Sequence, residues 1–237
     1  MTNIVTVHSR KGGVGKTTLA YELAWLLDAV LVDFDYEAGN ATGTWGWKPE
    51  ERAGSPLLDA LEKGRVPKPL TGFRKADLVP GHPLFSVYDG TAGDISDALA
   101  KWASEWGRGW VVVDTHNGFS EATAGALQAA NLVLAPVPLA TKDLMATRAL
   151  VDDLVDYPLV LIPSIVRSAP EQMTRRLREI VAGTPVQVGP FVPFRRTVGQ
   201  RSKRIAITAE DPPSKDLQPL KEAMQRIADY VKRYLDA

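Results

Sequence analysis

Short apolar runs recur along the chain, separated by longer stretches in which apolar residues return every three or four positions. The runs are NIVTVHS (3–9), AVLVDFD (29–35), LFSVYDG (84–90), WVVVDTH (110–116), NLVLAPVP (131–138), LVLIPSIV (159–166) and VQVGPFVP (186–193). Several are continuous rather than alternating, the pattern of strands covered on both faces of a parallel sheet. Helical spacing marks 16–27, 92–106, 120–130, 142–155, 170–182 and 214–235; in the first, Leu19, Leu23, Leu26 and Leu27 share a face. This alternation predicts an α/β fold: a single domain over 1–237, with a mostly parallel twisted sheet and helices on both faces. Segment 43–83 breaks the pattern. Its GSP, VPKPLTG and VPGHP stretches read as an irregular excursion with one short helix near 55–63. The last helix, over 216–235, aligns Leu217, Leu220, Met224, Ile227, Val231 and Leu235. Its polar face mixes both charge signs, so the stripe predicts packing against the sheet rather than a membrane-surface helix.

Composition narrows the chemistry. The 237 residues include no cysteine, which excludes disulfides, thiolate nucleophiles, cysteine-bound zinc and iron–sulfur clusters, and fits a reducing cytoplasm. Lys+Arg and Asp+Glu both total 28, so net charge points to no partner and any nucleic-acid surface must come from local asymmetry. The chain enters a strand pattern at once, and no apolar run approaches the ~20 residues of a spanning helix. The expectation is a soluble cytoplasmic protein.

Residues 8–18, HSRKGGVGKTT, lie between a predicted strand and a predicted helix. Gly12, Gly13 and Gly15 let the backbone turn tightly and aim N–H groups, that of Val14 included, at phosphate oxygens. The helix that starts near Lys16 adds its positive end. Lys16 can reach β- and γ-phosphates, Thr17 can hold Mg²⁺ through its hydroxyl, and Thr18 can reach the α-phosphate. The strict pattern G-x-x-x-x-G-K-[ST] wants glycine where Arg10 stands. Carboxylates at strand ends would complete such a site. Asp33 and Asp35 are two apart and leave the same strand face, and Asp114 ends WVVVD.

Together, KGGVGKTT, LVDFDYEAGNATGTWG and VVVDTHNGFS resemble the ParA family of partition ATPases, within the ParA/MinD group of phosphate-loop NTPases that carry a deviant Walker A loop. In that group the position of Arg10 is often not glycine, and the signature lysine falls on Lys11. The resemblance implies an ATP–Mg²⁺ enzyme with weak intrinsic activity that forms a nucleotide-sandwich homodimer. Lys11 would cross to the other subunit's phosphates, with Lys16 and Asp35 as its catalytic companions. Asp35 would position the attacking water, and Asp33 and Asp114 would sit around the Mg²⁺ with Thr17. Gly39, Asn40 and Thr42 would form the first switch, Asn117 and Gly118 the second. Pro193 and Phe194 would lie near adenine. Two departures stand out: DYEAGN is one residue longer than the family's DPQGN, with Glu37 near its glutamine, and His116 and Asn117 stand where proline is usual. His116 itself reads as a polar loop residue. Trp45 and Trp47, beside the first switch, read as core or dimer contacts.

Charge concentrates late in the chain. Between 165 and 204 stand Arg167, Arg175, Arg176, Arg178, Arg195, Arg196, Arg201, Lys203 and Arg204, opposed only by Glu171 and Glu179. With the family habit, this predicts salt-dependent binding to nonspecific double-stranded DNA. The resemblance further implies a ParB-type centromere-binding adaptor, nucleoid association, and no membrane partner. The start at the first strand implies a small type without an N-terminal helix-turn-helix domain. The alternatives are a MinD-like membrane-associated positioning ATPase and a nucleotide-dependent scaffold with little turnover.

Overall fold

The computed structural model describes residues 2–37, 40–52, 54–167 and 171–236; Gly39 of the expected first switch lies outside them. Among the described residues seven strands form one sheet: β1 (Asn3–Val7), β2 (Val30–Asp33), β3 (Asp77–Val79), β4 (Trp110–Asp114), β5 (Leu132–Pro138), β6 (Leu159–Ser164) and β7 (Gln187–Val188). Their order is β3-β2-β4-β1-β5-β6-β7, and every pairing is parallel. The helices are α1 (Lys16–Leu26), α2 (Ala41–Trp45), α3 (Pro56–Glu62), α4 (Ala92–Trp106), α5 (Glu121–Gln128), α6 (Thr141–Leu154), α7 (Glu171–Val181) and α8 (Gln218–Leu235).

The continuous apolar runs follow from two-sided burial. Val112 packs on the face covered by α1 and α8, while Val111 and Val113 pack on the opposite face under α3 and α4. Farther along that second face, β5 and β6 bury Val133, Ala135 and Leu161 beneath α6 and α7. All three valines of β4 are fully buried, each contributing roughly 1.5–3 kcal/mol. The stripe of α8 is likewise spent on the core: Leu220, Met224, Ile227 and Val231 are buried in the cluster that includes α1.

Two expectations fail around the excursion. LFSVYDG is not a strand; Pro83–Val87 is a 3₁₀ helix. Pro83 opens it with no N–H to lose, the His82 ring accepts from Leu84 N at 3.1 Å, and of its apolar residues Phe85 is buried while Leu84 and Val87 are exposed. The missing strand, β3, lies inside 43–83. It spans three residues, DLV, too short to register as a periodic run.

Candidate nucleotide site

β2, β4 and β1 are neighbours, so their carboxyl ends meet at one edge, where Val7 and Asp33 both register against Asp114. The phosphate loop leaves β1 there. Gly13 and Gly15 hold φ of 72° and 92°, left-handed values that a side chain would strain. No side chain caps the N-terminus of α1, so its first N–H groups stay open to the cleft. Lys16 is 6% exposed, and its ammonium donates to Asn117 Oδ1. Burial lowers the Lys16 pKa against the upward pull of Asp114, Asp35 and Glu37. Lys16 is thus held on Asn117, in the loop after β4.

The three aspartates divide by partners. Asp33 is well partnered: Oδ2 accepts from Thr42 N at 2.7 Å and Thr42 Oγ1 at 2.6 Å, and Oδ1 from Asp35 N at 3.0 Å. Gly81 N then donates to the Thr42 hydroxyl at 2.7 Å. Asp33 therefore braces the start of α2 through Thr42, with both oxygens engaged. Asp114 is the opposite case. Both its oxygens are buried without a hydrogen-bond partner. Burial, then the neighbouring Asp33, raises its pKa; Thr17 lies near enough to oppose this without reaching hydrogen-bond geometry. A solvent-free carboxylate with two empty acceptors beside a threonine hydroxyl is a donor set that suits a hard cation such as Mg²⁺. Asp35 is 8% exposed, and burial raises its pKa. Its Oδ1 accepts from Glu37 N at 3.0 Å, and Asn40 Nδ2 reaches its carbonyl at 2.6 Å. Asp35, Glu37 and His116 bring ligand atoms within 4.8 Å of one another, and the His116 ring stacks on Tyr36 at 4.3 Å.

The cleft around the loop has a volume of about 590 Å³. One end is polar, lined by residues 12–18, Asp35, Glu37 and Asn117; the other is apolar, lined by Val192, Pro193, Phe194, Val198, Leu220 and Met224. Pro193 and Phe194 thus line the apolar end, with the Arg167 guanidinium 4.1 Å over the Phe194 ring. Lys11 does not line this cleft. Its side chain is 48% exposed, and its ammonium is held by Asp143, a buried carboxylate in the first turn of α6. Arg10 reaches Asp153 at 2.5 Å and lies 4.9 Å over the Phe119 ring.

The basic residues of 165–204 do not form one patch. Arg175, Arg176 and Arg178 are exposed on α7, which packs on α6 and β7 at one edge of the sheet. Arg195 is half-buried and lines the cleft beside Phe194, while Arg196 is exposed. Arg201 turns inward, bonding Glu210 and the carbonyls of Lys203 and Ile205. Lys203 and Arg204 are exposed, and Arg204 lies against Gly46, just past α2.

Several site residues escaped sequence reading. Asp143 carries no motif, and only folding brings it to the loop; Leu220 and Met224, read from the sequence as a core stripe, also line the apolar end of the cleft. Ser164 and Ile165 line the cleft at the end of β6, Ser164 with a buried unpaired hydroxyl and Ile165 at φ 54°, an outlier for a β-branched residue. Trp45 is a core contact, its indole N–H bonding Ala76 O at 2.8 Å.

Residues 5–207 match the model of the CobQ/CobB/MinD/ParA nucleotide binding domain. A chromosome partitioning protein ParA from Myxococcus xanthus is 32% identical over 149 residues, 56% of this chain and 51% of that protein, so the chain spans about half the length of that relative. Among solved structures, MinD from Pyrococcus horikoshii complexed with Mg-ADP is similar with a TM-score of 0.76 at 18% identity, over 98% of this chain and 97% of that one. A putative plasmid partition protein from Borrelia burgdorferi bound to AMPPNP scores 0.74 at 20% identity, over 98% and 100%. Apo McdA from Cyanothece scores 0.75 at 18% identity, over 95% and 98%. On the family match and the loop that carries it, the chain belongs to the CobQ/CobB/MinD/ParA family of nucleotide-binding domains.

Proposed function

We propose that the protein is a DNA partition ATPase of the ParA type, which binds ATP with Mg²⁺, closes into a sandwich homodimer and binds nonspecific double-stranded DNA in that state. The observation that carries the reading is Lys11: a loop lysine beside the phosphate cleft that does not line it, half-exposed and held by a single carboxylate. A cation so placed is available to a second subunit's phosphates once Asp143 lets go. The partition relatives from M. xanthus and B. burgdorferi favour DNA segregation over other roles in the family.

Within the cleft, the N–H groups of 12–18 and the α1 terminus hold the phosphates. Lys16 leaves Asn117 for the β- and γ-oxygens. Thr17 and Asp114 would hold Mg²⁺, which neutralises phosphate charge when bound, and Asp33 keeps Thr42 and the first switch in register. Asp35 holds the attacking water in line with the γ-phosphorus; the water's oxygen bonds to phosphorus as the bond from phosphorus to the bridging β–γ oxygen breaks, the water's proton passes to an oxygen of the departing phosphate, and ADP and phosphate result. Val192, Pro193 and Phe194 flank the base, read as adenine. A ParB-type adaptor stimulates this slow hydrolysis, and the protein works in the cytoplasm on the nucleoid. Among the described residues no helix is long and apolar enough to cross a membrane, and the α8 stripe is occupied by the core. The test is oligomeric state by light scattering with Mg·ATP, Mg·ADP and no nucleotide. A dimer with ATP alone, lost in Lys11→Ala, supports the proposal. A monomer throughout, or a dimer indifferent to Lys11, refutes it.

A further inference from the structure

A basic and aromatic face lies away from α7. Three segments distant in sequence build it: 45–52, 72–75 and 203–206. Lys75 Nζ donates to Trp45 O at 2.8 Å and sits 4.0 Å over the Trp45 ring. Ala206 N donates to Arg74 O at 2.9 Å, and the Arg74 guanidinium bonds Ala209 O. Arg204 abuts Gly46. Arg52 is exposed and lies 4.4 Å over Trp47. The three segments carry six cations, Lys48, Arg52, Arg74, Lys75, Lys203 and Arg204, against two acids, Glu50 and Glu51. Glu51 is already engaged by Lys48 at 2.5 Å. In segment 72–75 stands Phe73, 79% exposed, next to Arg74, which holds φ 55° and bonds Ala206 and Ala209.

We infer that this face, and not α7, is where duplex DNA lies, with Arg52 and Arg204 on phosphates and Phe73 wedged against the sugar edge of a groove. The inference rests on the DNA-binding reading above. Guanidinium groups held against ring and backbone lose little freedom on meeting phosphate, and an exposed apolar ring beside an arginine, as Phe73 lies 6.0 Å from the Arg74 guanidinium, suits a DNA groove. A membrane would want several projecting apolar groups, whereas Trp45 is pinned by Ala76 O and Lys75 and leaves only Phe73 exposed. The face is also wired to the nucleotide. It begins at the end of α2, whose Thr42 bonds Asp33 at 2.6 and 2.7 Å, so movement of the first switch moves Gly46 and the segments resting on it.

The test is fluorescence anisotropy on random-sequence duplex with Mg·ATP over a salt series, for wild type, Arg52→Gln, Arg204→Gln, Phe73→Ala and the α7 pair Arg175→Gln/Arg178→Gln. Melting temperature and the ATP dimer serve as controls for folding. We expect Arg52→Gln and Arg204→Gln each to reduce the slope of log K against log salt by about 1. Phe73→Ala should weaken binding at unchanged slope, and the α7 pair should leave both unchanged. Slope lost at α7 and retained at Arg52 and Arg204 overturns the inference while sparing the DNA reading. Wild type that ignores DNA in every nucleotide state sinks the reading and the inference together. Cosedimentation with phosphatidylglycerol vesicles, abolished by Phe73→Ala, assigns the face to membrane and overturns it as well.

Discussion

Replacing His8 by asparagine should make the protein less sensitive to acid. His8 immediately follows β1, at the start of the phosphate loop, and has no exposed surface. The Thr115 hydroxyl donates to Val7 O at 3.0 Å, so His8 Nδ1 must donate to Thr115 Oγ1, also at 3.0 Å. Nε2 then carries a lone pair, buried and unpartnered. Burial first, and then Lys16 and Arg10, lower the pKa from 6.5 to about 4. A group depressed in this way leaves the folded state at full strength above 6.5 and costs stability as pH falls toward 4, because the unfolded chain takes the proton first. Fully developed, the gap corresponds to roughly 3 kcal/mol; by about pH 5 it has cost roughly 2 kcal/mol. Urea unfolding of wild type and His8→Asn at about pH 7.5 and about pH 5 isolates this contribution, since the other titrating groups are common to both. The variant should lose about 2 kcal/mol less than wild type between the two conditions. Equal losses would show that the imidazole is not held neutral, and the buried-lone-pair argument would fall.

Three further outcomes follow from the same geometry. Asp114→Asn removes a buried unpaired carboxylate, so it should raise nucleotide-free stability by roughly 1–3 kcal/mol while weakening Mg·ATP binding at least ~10-fold; a melt and an ATP-analogue titration read the two signs, and a loss of stability contradicts the assignment. Glu22 on α1 accepts from Ile207 N, Thr208 N and Thr208 Oγ1 at 2.7, 2.8 and 2.7 Å, so Glu22→Ala orphans three donors and should cost roughly 3 kcal/mol or more in urea, with a change below ~1 kcal/mol counting against it. Asp143→Asn loosens the half-exposed hold on Lys11 and should lower the ATP concentration for half-maximal dimerisation by up to about fivefold, the scale of such an ion pair; a higher requirement would mean that Asp143 aids the dimer instead.

What the sequence made legible was whatever is local. A glycine loop between a strand and a helix, aspartates at strand ends and long helices with strong stripes each declare themselves within a dozen residues. β1, β2, β4, β5, β6 and the six long helices stand close to where periodicity put them. The failures arise where long-range packing decides. DLV becomes β3 because β2 offers it a free edge, and LFSVYDG coils because Pro83 opens a turn there. The same limit governs the site. Adjacency of 203–204 to 175–178 in sequence suggested one basic surface, but a parallel sheet sends α7 to the β7 edge and Arg204 to the end of α2. Asp143 reaches the loop, and Leu220 and Met224 the apolar end of the cleft, from helices whose patterns signalled packing and not a ligand site. Asp33 and Asp114 read alike in sequence; only the contacts distinguish a well-partnered brace from an empty ligand.

The most direct test of the central claim is retention of random-sequence duplex DNA by wild type and Lys11→Ala with ATP, ADP and no nucleotide. Wild type should bind with ATP alone, and this binding should be lost in Lys11→Ala and steeply weakened by salt. Binding that ignores the nucleotide, or that survives loss of Lys11, would contradict a loop whose lysine couples ATP to dimer and dimer to DNA.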